Sequence, residues 1–94
     1  GSYRYASPQG APPPRAAVQR NATTLQSFVT GMDVAAAILV VKTLPGRASA
    51  VASAIDEVKL EEICATLAGD DTVLVLVRRD EDRDRVRRAL EGLI

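Results

Sequence analysis

The sequence predicts an α+β domain, a four-stranded, largely antiparallel sheet with two helices on one face, in the order strand, strand, helix, strand, strand, helix. Three observations lead there. Residues 38–41 (Ile-Leu-Val-Val) and 73–77 (Val-Leu-Val-Leu-Val) are short apolar runs rich in β-branched side chains, which favours strands over helices. Two other stretches carry apolar residues at three- and four-residue spacing, the pattern of a helix with one buried stripe. Between two apolar runs, Gly69-Asp70-Asp71 supplies the turn residues a tight hairpin requires.

In chain order, residues 1–20 hold Pro8, Pro12, Pro13 and Pro14 with Gly10 and too few apolar side chains to pack a core, so they read as a linker. Gly1-Ser2 resembles a vector-derived remnant. The expected division is remnant and linker over 1–23 and a folded domain over 24–94. Residues 25–31 alternate imperfectly and run into Gly31-Met32-Asp33, a first strand turning into a second over 36–43. Pro45-Gly46 stops the second strand. A helix is expected from residue 47 to about 58, with Ala48, Val51, Ala52, Ile55 and Val58 on one stripe and Ala50, Ser53 and Ala54 leaving the opposite side small. The third strand runs from Cys64 into the turn, and the fourth, 73–77, ends at Arg78-Arg79. The last helix starts near Asp80, where Asp80, Glu81, Asp82 and Asp84 favour the positive end of the helix dipole. Val86, Leu90, Leu93 and Ile94 form its apolar stripe, and the arginines among its acids read as a solvated face.

Composition narrows the function. A chain of 94 residues buries only about 60–65% of its unfolded surface. Aromatic residues make up 3% of it, so Val, Ile, Leu and Ala must build the core. Net charge is zero but uneven: Arg4, Arg15 and Arg20 precede the first acid, Asp33, while residues 25–94 hold nine bases against twelve acids. A mildly acidic body argues against direct nucleic-acid binding by this part. Histidine is absent and Cys64 is the single cysteine, which removes histidine acid–base chemistry, Ser-His-Asp triads and the usual zinc sites; no enzyme and no cofactor are expected. Cys64 reads as a reduced, buried structural thiol. Without a signal-peptide pattern or an apolar run of about 18 residues, a cytoplasmic location is expected.

The strands themselves bear on function. A sheet covered on one face should alternate apolar and polar residues, yet 38–41 and 73–77 are apolar on both faces. Two helices cannot cover both faces of four strands, so a second copy of the chain is the expected cover and the chain is expected to be a homo-oligomer.

The hairpin tip carries two adjacent carboxylates, Asp70 and Asp71. Their mutual repulsion makes them a receptor for a guanidinium, an ammonium or a metal ion, although aspartates also occupy turns merely as good turn formers. Lys42-Thr43-Leu44-Pro45-Gly46 followed by Thr66-Leu67-Ala68-Gly69-Asp70-Asp71-Thr72 resembles the effector-binding C-terminal domain of the bacterial arginine repressors, over roughly residues 24–94 and with the same spacing.

That resemblance implies an arginine-responsive transcriptional repressor of arginine biosynthesis, assembled as a hexamer of two trimers with L-arginine, the co-repressor, bound between them. Operator DNA would be held by a winged-helix domain absent from this chain; Tyr3-Arg4-Tyr5 is similar to the end of its wing. Asp70 and Asp71 match the family's paired acidic ligands, and Asp56 matches a further acidic position whose ordinary reading is a solvated helix-end aspartate. Thr66 and Ala68 match positions near the ligand, where backbone groups could serve the amino-acid head. Ser49 stands where relatives often carry glutamine. A serine hydroxyl cannot span the distance a glutamine amide does, so the ligand is not reached from this position, is reached through water, or is served by Arg47 instead. Two other classes stay open: an effector-independent structural oligomerisation module, and a divalent-cation site built from Asp56, Asp70 and Asp71.

Overall fold

The computed structural model describes residues 15–94 and contains the predicted four-stranded sheet. It begins with a helix that the sequence pattern does not announce, α1 (Arg15–Phe28). Strands β1 (Val29–Ala35) and β2 (Ile38–Thr43) follow, then α2 (Ala48–Val58), β3 (Ile63–Ala68), β4 (Thr72–Val77), one 3-10 turn over Asp80–Asp82 and α3 (Arg83–Glu91). The strands lie in the order β1-β2-β4-β3 and every neighbouring pair is antiparallel.

Helix α1 replaces both the linker expected through residue 23 and the first strand expected from Leu25; residues 1–14, with the rest of that linker and the Tyr3-Arg4-Tyr5 segment, lie outside the described residues. Thr23, Thr24, Phe28 and Val29 locally favour extended chain. Packing overrides that preference. Asn21, Leu25 and Phe28 fall on one side of a helix, and Leu25 is buried in the same core as α2. The Thr23 hydroxyl donates to the Gln19 carbonyl at 2.9 Å, so it is satisfied inside the helix. The strand begins only at Val29, directly after the helix.

Alternation along β2 and β4 sorts their side chains onto two faces. One carries Leu39, Val41, Val73 and Val75, each fully buried under Val51 and Ile55 of α2 and Val86 and Leu90 of α3, in one cluster with Leu25. Both expected helices therefore cover one face, and the additional α1 joins the same core. Truncation there leaves a void that this dense packing cannot close. Ile55→Ala is expected to cost about 2–5 kcal/mol, read as a lowered denaturation midpoint at unchanged slope.

The opposite face carries Ile38 and Val40 of β2, Leu74 and Leu76 of β4 and Leu67 of β3. The register aligns Val40 with Leu74 and Leu74 with Leu67, so these side chains form a continuous patch across three strands. Leu67 is 54% exposed and Leu76 37%.

Cys64 is exposed, not buried as expected. The β3–β4 register shifts between Ile63 and Ala65, and this irregularity turns Cys64 out of the alternation that buries Ile63, Thr66 and Ala68.

Candidate functional site

The residues around the acidic turn are positioned mainly by backbone bonds. Pro45 and Gly46 occupy the two central positions of a turn closed by the Arg47 N–H on the Leu44 carbonyl at 3.1 Å. Gly46 has φ 76°, as the third residue of a type II turn requires. Gly69 needs no such freedom: among the described residues, the positive-φ positions are Gly46, Ala36 and Lys59. Its N–H instead donates to the Thr72 carbonyl at 2.8 Å, closing the β3–β4 hairpin.

The two turns are joined. The Asp70 carbonyl accepts from the Gly46 N–H at 3.1 Å and the Ala48 N–H at 3.2 Å, and the Asp71 carbonyl accepts from the Thr43 N–H at 2.8 Å. Ala48 is the first residue of α2, and Arg47 before it makes no side-chain capping bond. The backbone of Asp70 thus takes a capping role and brings this residue to the positive end of the α2 dipole. Arg47 lies over the Phe28 ring, 5.3 Å from its centroid, which ties the same corner to the end of α1.

The side chains of the turn face solvent. Asp70 is exposed, and its carboxylate has no hydrogen bond or ion pair among the described residues. Asp71, also exposed, accepts from the Thr72 hydroxyl at 3.0 Å and lies 3.9 Å from the Lys42 ammonium. Ser49 is exposed in the first turn of α2, and Ala68 is buried where β3 runs into the hairpin. These four candidate residues share one end of the sheet.

Asp56 and Thr66 form a second group. The Thr66 hydroxyl, on a residue 3% exposed, donates to Asp56 Oδ1 at 2.8 Å and ties α2 to β3. Asp56 is eight residues beyond Ala48, about 12 Å along the helix axis. Its bond to Thr66 separates it from the turn within one copy of the chain. Among the described residues no group of three or more His, Cys, Asp or Glu is placed to hold a metal ion. Residue types alone do not reveal the Lys42–Thr72–Asp71 cluster; only the cross-strand register, which pairs Lys42 with Thr72, exposes it.

A family model described as "Arginine repressor, C-terminal domain" matches residues 25–92. Curated relatives include an arginine repressor from Carboxydothermus hydrogenoformans, 44% identical over 95% of this chain and 57% of its own length. One from Desulforudis audaxviator is 39% identical over 99% of this chain and 61% of its own length. One from Thermotoga maritima is 42% identical over 73% of this chain and 45% of its own length. The chain therefore spans about half to three fifths of the relatives it matches.

Proposed function

We propose, from the premise that the chain belongs to the family of arginine repressor C-terminal domains, that it is the effector-sensing and hexamerisation domain of an arginine-responsive transcriptional repressor of arginine biosynthesis. L-arginine binds between two trimers as co-repressor. The protein is not an enzyme, and membership of a repressor family supports a cytoplasmic location. Among the described residues no helix is long and apolar enough to cross a membrane. Operator DNA is contacted through a separate N-terminal domain, and residues 24–94 carry assembly and sensing.

The observation that carries this reading is the acidic turn. Backbone bonds hold it against the start of α2, and the Asp70 carboxylate has no partner among the described residues, as a receptor for a cationic side chain would be. Asp70 and Asp71 read the guanidinium. Ser49, next to the Ala48 whose N–H bonds the Asp70 carbonyl, and Ala68 at the end of β3 share that end of the sheet, while Asp56 and Thr66, bonded to each other, contribute from the second group. The apolar sheet face supports assembly, since no described segment of the chain covers it.

Coupling follows from linkage. A ligand bound between trimers stabilises the hexamer, and the same free energy makes assembly raise ligand affinity. A stabilised hexamer would hold several DNA-binding domains in fixed relation and turn weak single contacts into multivalent binding.

Sedimentation across a dilution series tests this. Trimers are expected without ligand and hexamers with L-arginine. Citrulline, nearly the same shape but neutral at its side-chain end, should leave the distribution unchanged. A monomer at micromolar concentration, or an assembly state indifferent to arginine, would defeat the mechanism.

A further inference from the structure

One cation is built into the acidic turn. Lys42 is the Cα partner of Thr72 across the β2–β4 ladder, so the sheet register sets the two side chains side by side. The Lys42 ammonium donates to Thr72 Oγ1 at 2.6 Å, and the Thr72 hydroxyl donates to Asp71 Oδ1 at 3.0 Å. The direction of these bonds is forced. An ammonium can only donate and an ionised carboxylate can only accept, so the single Thr72 proton goes to Asp71 and a lone pair of its oxygen receives Lys42. Each bond polarises the next. With the ammonium also 3.9 Å from Oδ1, one oxygen of Asp71 is engaged and its charge partly balanced, whereas Asp70 has no such partner among the described residues.

We propose that Lys42 is an affinity-setting residue of the effector site: acting through Thr72, it serves as a resident cation on Asp71, makes the two aspartates unequal and leaves Asp70 as the carboxylate that takes the guanidinium fork. The proposal rests on the effector reading above. A bidentate guanidinium contact needs both oxygens of one carboxylate, and Asp70 offers both. Asp71 offers its second oxygen, and any cation approaching it meets the charge of Lys42. The side chains of Lys42 and Asp71 are 49% and 54% exposed, so the effect is modest. Lys42→Met is expected to tighten L-arginine binding by up to about fivefold, less so at high salt. Asp71→Asn removes an attraction and also leaves Lys42 unbalanced, so adding Lys42→Met to it should recover part of the affinity.

Two readouts keep this distinguishable from the effector reading. The first needs no ligand. The chain has two lysines, Lys42 and the exposed Lys59, so NMR of the ammonium groups compares one with the other in a single sample. Lys42 should be the more restrained, should loosen in Thr72→Val and should stay restrained in Thr72→Ser. A Lys42 ammonium as mobile as that of Lys59 overturns the proposal whether or not arginine binds. The second is calorimetric titration of L-arginine into the wild type, Lys42→Met, Asp71→Asn and the double variant. Tighter binding by Lys42→Met and partial recovery in the double variant support the role; binding by the wild type with equal or weaker binding by Lys42→Met overturns it. A wild type that binds no arginine while Lys42 stays restrained overturns the effector reading and the affinity role with it, and leaves the Lys42–Thr72–Asp71 relay standing.

Discussion

Replacing Asp70 by asparagine is expected to weaken L-arginine binding by roughly ten- to a hundredfold, corresponding to removal of a charge-assisted hydrogen bond worth about 1.5–3 kcal/mol. The fold should survive. What Asp70 gives the structure is its carbonyl, bonded to the Gly46 and Ala48 N–H groups, and asparagine keeps both that carbonyl and the preference for turns. Asp71→Asn should also weaken binding and spare the fold, since the Asp71 backbone bond to Thr43 is likewise independent of charge. Calorimetry paired with thermal unfolding separates affinity from stability. Unchanged dissociation constants in both variants would remove the carboxylate clamp from the mechanism.

The second large effect concerns assembly. Leu76→Asp puts a carboxylate into the apolar sheet face at a position 37% exposed in the single chain, so an isolated domain should tolerate it. Against a facing copy the charge would be buried without a partner, at about 3–5 kcal/mol for each subunit. That is more than about a hundredfold in association at each interface. Sedimentation should find monomers with wild-type circular dichroism. A variant that assembles like the wild type would place the interface on some other surface.

How far the sequence could be read depended on which interactions were local. Strands β2 and β4 were legible because their apolar runs leave no helical alternative, and α2 because Ala48, Val51, Ala52 and Ile55 keep a helical period. The turn was legible because glycine and aspartate have few other uses between two strands. Helix α1 was not, because the threonines and Phe28 favour extended chain until Leu25 finds the core built by α2. The exposure of Cys64 depends on a register shift, and a shift has no signature in composition. At the site, residue types pointed to Asp70 and Asp71. The bond between Thr66 and Asp56 depends instead on how a helix sits on a sheet, and the contact of Lys42 with Thr72 on which residues face each other across two strands.

The hairpin of Asp70 and Asp71 is fastened through carbonyl oxygens and amide protons, which every residue but proline can supply. Heredity can therefore alter what the hairpin recognises without disturbing how it is held. A lineage, or an engineer, could vary positions 70 and 71 toward neutral or basic side chains and explore other small-molecule signals while the docking of turn to helix persists. The innovation would be cheap in the sense that matters to evolution, because recognition and architecture are written in different atoms of the same two residues.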